Sequence, residues 1–253
     1  MRPDTLAGVL AAFLREETGA GIYHLFRVLG FPRLGAVERA LPAEGSILDA
    51  GCGYGLLSIL AAARAPGRRV VGIDRLESRI AVGRRVAARL GLTNVRLETG
   101  RLESLPSGPF DAVALVDVLL YRRLEEQAEI LDACRDRLAP GGRLVIKEQL
   151  REPSWKAWLV ELQERAVVGF KTHRAGGGAW AEMNPSGGMH LWRAADLEDH
   201  LRGGGLRTTR RPLHAGGWLS HHLVIAAIPT PAAAQPAAEA PARPAPAPVR
   251  AAS

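Results

Sequence analysis

From Ser46 to Glu148 the chain alternates short apolar runs with segments in which apolar residues recur every three or four positions. The apolar runs are SILDA, RRVVGID, NVRLETG, FDAVALVDV and GGRLVIKE. A helix starts at about Leu56 after the first run, SRIAVGRRVAARLG follows the second, and residues 122–138 precede the last. Apolar strands separated by amphipathic helices are typical of a parallel sheet that helices cover on both faces. The pattern predicts a doubly wound α/β fold.

The later elements follow from the same pattern. The apolar face of the helix over 122–138 is formed by Leu124, Ala128, Leu131 and Leu138. We expect PGG at 140–142 to end this helix and turn the chain into the next strand. After a short helix in RAADLEDHLRGGGL, the segment LRTTRRPLHAGGWLSHHLVIAAI predicts two strands joined by a turn. These strands are expected to form an antiparallel hairpin at the edge of the sheet.

Residues 1–45 predict a helical cap in front of the sheet domain, which spans 46–228. Asp4 is placed to cap a first helix, and a second helical stretch covers residues 22–29. The apolar stripe of the first helix is Leu6, Val9, Leu10, Phe13 and Leu14. Residues 229–253 are almost entirely Pro and Ala. Such a segment buries too little apolar area to offset its ordering entropy, so we predict a disordered tail.

An insert over about 151–190 interrupts the sheet pattern. It opens with PSWKAWLVELQERAVVGF, in which Trp155 and Trp158 have the helical spacing typical of core residues. A glycine-rich stretch without periodicity, AGGGAWAEMNPSGGMH, follows. Loops of that length in a compact domain are often functional, and we interpret this helical and Gly-rich insert as a lid. The lid interpretation rests on three large apolar residues of this stretch, Trp180, Met183 and Met189, which show no helical spacing.

Composition narrows the classes of function. The 253 residues carry a net charge of +7, but the arginines alternate with acids and form no run of five basic residues. That pattern is typical of solvated, ion-paired helix faces and argues against nucleic-acid binding. No apolar stretch reaches the ~20 residues of a membrane span, and acids close behind the first apolar run argue against a secretion signal. Cys52 and Cys134 are too few for a disulfide framework and fit a reducing, cytoplasmic location.

The stretch ILDAGCGYGLLSIL places Gly51, Gly53 and Gly55 directly after the first strand. A glycine loop between a strand and a helix lets a nucleotide approach the backbone closely. The dinucleotide fingerprint G-x-G-x-x-G is absent, because Leu56 stands where its third glycine belongs. A P-loop is absent too, since no glycine is followed by Lys and then Ser or Thr. The loop therefore suits a nucleotide without a diphosphate.

Two acids define this ligand further. Asp74 ends the second strand, about 20 residues past the glycine loop, where an acid is expected to accept both ribose hydroxyls. Asp49 ends the first strand and places a negative charge where a phosphate would be repelled and an ammonium or sulfonium would be favoured. Together they predict a nucleoside that has a free ribose diol and a cationic amino-acid arm.

These motifs resemble those of the class I S-adenosylmethionine-dependent methyltransferases. LDAGCGYG is similar to their first motif, VVGID to their second, FDAVALVDVLLY to their fourth, and LAPGGRLVIKE to their fifth strand with its lead-in. The resemblance follows the element order over about 47–228, and its motifs are concentrated in 47–148. It implies a Rossmann-like, mostly parallel seven-stranded sheet, methyltransferase activity, and S-adenosyl-L-methionine as the methyl donor.

The same resemblance implies a set of cofactor-binding residues. They are Asp49, Gly51, Cys52 and Gly53 at the methionine end, Asp74 at the ribose, Arg101 and Leu102 beside the adenine, and Asp117 on the floor near the methionine moiety. One position departs from the family pattern, because many members carry an acid where this chain has Arg101. Arg has no acceptor for the adenine amino group, so a backbone carbonyl or Glu103 replaces that acid, or the contact is absent.

The acceptor is less well defined, because methyl transfer from a sulfonium needs mainly alignment and a desolvated cavity. DVLLY after the fourth strand lacks the Pro-Pro-aromatic motif of adenine and glutamine N-methylation. Cys52 and Cys134 are interpreted as small packing residues rather than as the nucleophile of cytosine methylation. What is left is a small-molecule or lipid-like acceptor. The candidate bases are His190, His173 and Glu148, and none of them is assigned as catalytic.

Two other interpretations stay open. A non-catalytic adaptor that keeps the fold is suggested by Arg101 and by the lack of an obvious base, and RNA or protein methylation is suggested by the charge of +7. No metal site is predicted. His214, His221 and His222 surround the final hairpin, but no third ligand has suitable spacing, so we expect exposed strand residues there.

Overall fold

A computed structural model of the chain describes residues 4–18, 34–151, 188–213 and 221–229. The helices are α1 (Leu6–Glu16), α2 (Leu34–Glu38), α3 (Leu56–Arg64), α4 (Glu77–Arg89), α5 (Leu124–Arg135) and α6 (Ala194–Gly203), with a 3₁₀ turn at Leu119–Tyr121. The strands are β1 (Gly45–Ala50), β2 (Arg68–Asp74), β3 (Val95–Thr99), β4 (Phe110–Val116), β5 (Leu138–Gln149), β6 (Arg207–Pro212) and β7 (His221–Ala227). The predicted helix over 22–29, nearly all of the insert and the tail beyond Pro229 lie outside the described residues.

The seven strands form one sheet in the order β3-β2-β1-β4-β5-β7-β6. The first five of these strands are parallel, while β7 pairs antiparallel with both β5 and β6. The predicted fold, including the C-terminal antiparallel hairpin, is confirmed. The strand order reverses between β1 and β4, and ligands of open α/β sheets bind at the carboxyl ends of the strands beside such a reversal.

Helices cover both faces of the sheet. Alternate residues of β5 show the two layers, because Ile146 packs in the cluster that contains α5 and α6, whereas Val145 packs in the cluster that contains α2 and α3. A third cluster, centred on Phe13 of α1 and Ile80 of α4, extends the second layer. Burial on both faces explains why the strands read as continuous apolar runs in the sequence.

The first helix is capped by a residue other than the predicted one. Thr5, not Asp4, is the N-cap of α1, and its hydroxyl accepts from the N–H of Gly8 at 3.0 Å. Val9 and Phe13 of the predicted stripe are fully buried, but Leu14 is 38% exposed. The helix begins one residue later than expected, because the hydroxyl of Thr reaches the orphan N–H groups of the first turn as a carboxylate does.

The helix before β5 ends earlier than the sequence predicted. α5 ends at Arg135, and 138–149 form one strand that includes the PGG turn as an irregularity in its pairing with β4. Leu138 therefore belongs to β5, and Leu124 is 37% exposed. The buried residues of α5 are Gln127, Ile130, Leu131 and Cys134. The burial of Gln127 was not predicted, and its two side-chain hydrogen bonds to backbone carbonyls explain it.

In the part of the chain that the structure describes, no helix combines the length and the apolar character needed to cross a bilayer.

Candidate functional site

The glycine loop leaves β1 and folds over the end of β2. Gly51, Gly53 and Gly55 have left-handed φ angles of +78°, +61° and +81°. The backbone N–H groups of Gly51 and Cys52 both donate to the carbonyl of Ile73, at 2.9 and 2.8 Å. These two hydrogen bonds hold the loop against the carboxyl end of β2, where the order of the strands predicts a ligand.

The three glycines of the loop meet different surroundings. A Cβ atom at Gly51 would lie 2.4 Å from Cγ2 of Val118, and one at Gly55 would lie 2.8 Å from Cδ1 of Leu97. Protein packing therefore requires both glycines. A Cβ atom at Gly53 would meet no atom of the described residues within 4 Å. Gly53 is the point at which the loop presents bare backbone to open space.

In dinucleotide sites a third loop glycine lets the helix pack closely against the strand. In this chain a glycine of strand β2 has that role. A Cβ atom at Gly72 of β2 would lie 2.6 Å from the hydroxyl oxygen of Ser58 on α3. Leu56, which replaces the third loop glycine, begins α3 and is buried in the core. Helix and strand thus approach closely without a glycine at position 56.

Asp74 is attached to the glycine loop. Its Oδ2 accepts from the N–H of Gly53 at 2.9 Å, and its Oδ1 accepts from the N–H of Leu76 at 3.0 Å. The carboxylate is partly exposed, and each oxygen keeps a second lone pair. Asp74 and Gly53, which the sequence placed at the ribose and at the methionine end, are therefore direct neighbours, with free acceptor capacity between them.

Asp49 lies below the loop, in the interior. The side chain is 2% exposed, and its Oδ2 accepts from the Ser58 hydroxyl at 2.6 Å. Burial raises the pKa of Asp49 to about 6, and the charge of Asp74 contributes to the increase. A buried carboxylate that is costly to ionise gains most from a cation placed beside it.

The thiol of Cys52 is kept protonated in this loop. Burial raises its pKa well above the ordinary value, and the neighbouring charges of Asp49 and Asp74 add to the increase. Its Sγ approaches the carbonyl of Gly53 at 3.8 Å. A protonated thiol is a poor nucleophile, which agrees with the interpretation of Cys52 as a packing residue. Cys134 is fully buried, and burial raises its thiol pKa to about 12.

Arg101 and Leu102, which follow β3, differ in their exposure to solvent. Arg101 is exposed, with its Nε 3.6 Å from a carboxylate oxygen of Glu103, while Leu102 is buried in the core. Glu103 also pairs with Arg122 at 2.9 Å. Glu103 is therefore engaged by two guanidinium groups on the side of the sheet where the resemblance predicts the adenine.

Asp117 lies directly after β4 and has a φ of +53°, which is rare for a residue other than glycine. Its Oδ2 forms an ion pair with Nζ of Lys147 at 2.5 Å, and its Oδ1 lies 3.5 Å from Nε2 of His221. Lys147 and His221 are both buried. The negative charge predicted on the floor of the site is therefore already compensated by a protein cation.

The prediction that His221 and His222 are exposed is wrong. They are 4% and 2% exposed, because β7 is inserted between β5 and β6 and so is not the edge strand. The apolar run LVIAAI that follows them was the available sequence signal, since a central strand is apolar on both faces. His214 lies outside the described residues.

Glu148 occupies the end of β5 on the face opposite Lys147. Its Oε1 accepts from the N–H groups of Val118 and Leu119, at 2.7 and 2.8 Å. Burial raises the pKa of Glu148 well above its usual range, and the nearby charge of Asp117 raises it further. This carboxyl group holds the turn that begins at Asp117, and the turn in turn contacts the glycine loop through Val118.

His190 is joined to the same region by its backbone. Its N–H donates to the carbonyl of Leu120 at 2.9 Å, and its carbonyl accepts from the buried side chain of Gln127 at 2.8 Å. Gln127 also donates to the carbonyl of Arg122 at 2.8 Å, which explains the buried amide on α5. Two of the three candidate bases, Glu148 and His190, are thus attached to the same turn over 118–120, while His173 lies outside the described residues.

Among the described ranges, no group of three or more His, Cys, Asp and Glu side chains is arranged to hold a metal ion.

Fold and site together define the class. The doubly wound sheet, the glycine loop after β1 and the acid at the end of β2 are those of a class I S-adenosylmethionine-dependent methyltransferase. Residues 42–177, just over half of the chain, match the family model of a methyltransferase domain. The chain belongs to this family, and the resemblance found in the sequence is confirmed.

A solved structure shows the same fold. An O-methyltransferase family protein from Burkholderia thailandensis superposes with a TM-score of 0.64 at 18% sequence identity, covering 86% of this chain and 62% of that protein. At this identity the likeness concerns the fold.

Curated relatives match about half of the chain. The ribosomal RNA small subunit methyltransferase G of Burkholderia pseudomallei is 36% identical over 132 residues, which are 52% of this chain and 55% of the relative. The demethylmenaquinone methyltransferase of Thermus thermophilus is 39% identical over 115 residues, which are 45% of this chain and 51% of the relative. The chain spans about half the length of these relatives.

Proposed function

We propose that the chain binds S-adenosyl-L-methionine and transfers its methyl group to a small-molecule or lipid-like acceptor. The observation that carries the proposal is the geometry around Gly53. A left-handed glycine faces open space there, and its N–H is held by the carboxylate of Asp74. A nucleoside can approach bare backbone at this point, with its ribose hydroxyls beside an acid that has acceptor capacity left.

The residues around the loop fit this ligand. Asp74 would accept from the ribose hydroxyls, and Asp49 would lie near the cationic methionine end, where its buried charge gains from a counter-ion. Cys52 and Gly51 would line the loop, Arg101 and Leu102 would border the adenine, and Asp117 would form part of the floor. The ligand supplies a methyl group on sulfur that is already activated for displacement.

The two relatives support different acceptors. The small or lipid-like acceptor is supported by the demethylmenaquinone methyltransferase and by the absence of a clustered basic surface in the sequence. The second candidate, an RNA acceptor, is favoured by the ribosomal RNA methyltransferase and by the net charge of +7. Steeply salt-dependent association with ribosomal RNA, at a slope expected for several phosphate contacts, would favour the second candidate.

Calorimetric titration with S-adenosylhomocysteine tests the proposal. The wild type is expected to bind at micromolar concentration, and Asp74→Ala to weaken binding by about tenfold or more, since a hydrogen bond to a charged group is lost. The matched control is Asp111→Ala, because Asp111 also accepts a backbone N–H, that of Ser46 at 2.7 Å. It lies at the opposite edge of the sheet, so this control should bind as the wild type does.

A second pair of variants separates ligand contact from backbone strain. Gly53→Ala and Gly91→Ala both place a side chain at a left-handed φ, +61° and +66°, where no described atom lies within 4 Å. Each should lose about 1 kcal/mol of stability, but only Gly53→Ala should lose affinity for S-adenosylhomocysteine. Absence of binding by the wild type, or equal affinity in both glycine variants, would contradict the proposed cofactor site and leave the non-catalytic adaptor as the better reading.

A further inference from the structure

Two polar atoms beside the proposed cofactor site have no hydrogen-bond partner. They are Oε2 of Glu148 and Nε2 of His190, both inaccessible to solvent and unpaired within the described part of the chain. Glu148 as a whole is only 5% exposed. Buried polar side-chain atoms are nearly always paired, so an unpaired carboxyl oxygen calls for an explanation, and a group from outside the protein provides one.

The two residues are attached to consecutive positions of one turn. Glu148 uses its other oxygen, Oε1, to accept from the N–H groups of Val118 and Leu119. His190 donates its backbone N–H to the carbonyl of Leu120, the next residue. The turn over 118–120 is therefore held from β5 on one side and from the segment 188–190 on the other.

This turn is in contact with the glycine loop. The side chain of Val118 occupies the space that a Cβ atom at Gly51 would need, with only 2.4 Å between Cγ2 and that position. The carboxyl group of Glu148 is thus one residue away from the loop that is proposed to hold the methionine end.

We propose that Glu148 Oε2 binds a hydroxyl group of the acceptor and accepts its proton during methyl transfer. The inference rests on the proposed function and adds to it an acceptor class, alcohols, phenols or enols. The acceptor O–H bond breaks and its proton goes to Oε2. The oxygen lone pair forms the bond to the methyl carbon, and the carbon–sulfur bond breaks with its electron pair left on sulfur, which becomes a neutral thioether.

The surroundings of Glu148 suit a general base. Burial and the charge of Asp117 raise its pKa, whereas its strand neighbour Lys147 lowers it. The other titratable group placed opposite it is His222, its register partner in β7. A carboxyl group whose pKa lies near the working pH is a stronger base than an ordinary one and is still partly ionised.

The charges also select a neutral acceptor. Lys147 already places one buried cation at this end of the sheet, paired with Asp117. An ammonium group would add a second buried cation, which is costly in the protein interior. A hydroxyl group is neutral and donates one hydrogen bond to Oε2.

Glu148→Gln distinguishes a role of Glu148 as general base from a role that is only structural. The amide oxygen of Gln keeps both hydrogen bonds from Val118 and Leu119, whereas the atom at the Oε2 position becomes a donor that cannot accept a proton. The variant should keep the S-adenosylhomocysteine affinity of the wild type and should be at least as stable, since an amide avoids the cost of burying an ionisable group. Glu148→Leu removes both hydrogen bonds and should lower both quantities, because the turn beside the glycine loop loses its support.

The decisive experiment uses donor labelled in the methyl group and the small-molecule fraction of a cell extract. Wild-type protein is expected to produce a labelled product whose label is released by hot hydriodic acid, as for methyl bound to oxygen. Glu148→Gln should lower the initial rate by about a hundredfold or more. A label that resists the acid, as in N-methyl and C-methyl groups, overturns the inference, and so does an undiminished rate in Glu148→Gln.

A measurement without turnover completes the test. The infrared difference spectrum of wild type minus Glu148→Gln isolates this carboxyl group in the ligand-free protein. The protonated carboxyl band should persist at neutral pH and disappear only at alkaline pH. Ionisation in the ordinary range of Glu overturns the role of Glu148 as base. If the wild type does not bind S-adenosylhomocysteine, the proposed function itself is contradicted. Failure of the proposed function can therefore be told apart from failure of the inference about Glu148.

Discussion

Asp49 shows how one residue connects stability to ligand binding. The chain buries this carboxylate at the end of β1, beneath the glycine loop, with one hydroxyl as its partner. An acid whose pKa is raised by folding stabilises the protein fully below its unfolded pKa, and this contribution is lost as the pH rises through the folded value. For Asp49 that window runs from its ordinary value of 3.8 to about 6.

Asp49→Asn removes the loss of stability that ionisation of the buried carboxyl group causes as the pH rises. The stability of the variant relative to the wild type should increase between about pH 4 and pH 7, by at most roughly 3 kcal/mol, since each pKa unit corresponds to about 1.4 kcal/mol. Urea unfolding at a series of pH values measures it. A difference that stays constant with pH would contradict the raised pKa.

Asp111→Asn is the control, because its effect on stability should change with pH in the opposite direction. The N–H of Ser46 lowers the pKa of Asp111, so this acid stabilises the fold above its unfolded pKa and loses that contribution as the pH falls. The stability of Asp111→Asn relative to the wild type should therefore decrease as the pH rises. The same titration in both variants excludes a general effect of removing a carboxylate.

At the scale of elements, a buried ion pair joins α2 to the start of β2 and the end of α3. Glu38 is 4% exposed and contacts Arg68 at 2.6 Å and Arg64 at 2.5 Å. Arg68 is also buried and donates to the carbonyl of Pro42 at 2.7 Å. Removing one partner of such a pair leaves an uncompensated buried charge, which is strongly destabilising.

Glu38→Gln should therefore lower the free energy of unfolding by about 3 kcal/mol. Asp199→Asn is the matched control, because its pair with Arg202 at 3.2 Å is largely exposed, and such pairs contribute less than about 1 kcal/mol. Both variants should bind S-adenosylhomocysteine as the wild type does, since the ion pair lies at the start of β2 and the glycine loop at its end. Equal stability of the two variants would show that the Glu38 pair is not a structural anchor.

At the scale of the whole molecule, the described sheet is complete at β7. Its last residue, Ala227, pairs with Arg143 and Arg207, and the N–H of Ile228 donates to the carbonyl of Gly142 at 2.9 Å. The sequence predicts that the Pro- and Ala-rich segment beyond it takes no part in the fold.

Deleting residues 230–253 should leave the thermal midpoint within about 2 °C of the full chain, which corresponds to less than about 1 kcal/mol. S-adenosylhomocysteine affinity should not change. Deleting 226–253 is the control, because it also removes Ala226, which pairs with Leu144 and Thr208, and it should unfold the protein. A large loss of stability in the shorter deletion would assign the tail to the fold.

The sequence by itself determined the doubly wound sheet, the glycine loop, and Asp49 and Asp74 at the ends of β1 and β2. These features are local, because period, strand ends and a fixed offset along the chain are enough to locate them. The N-cap of α1 and the end of α5 were displaced by a few residues, since Asp4 and Thr5 are both good caps and PGG is compatible with a bulged strand.

Only the tertiary structure decided the other side of the site. Glu148 meets Val118 across 30 residues of chain, Asp117 meets His221 across about a hundred, and Gln127 meets the carbonyl of His190 across 63. The contact with His221 depends on β7 entering between β5 and β6, and the other two join segments that are distant along the chain. Burial raises the pKa of the Glu148 carboxyl group and makes the Asp117–Lys147 ion pair necessary. Neither effect can be read from the sequence, because the cost of an unpaired charge depends on its surroundings.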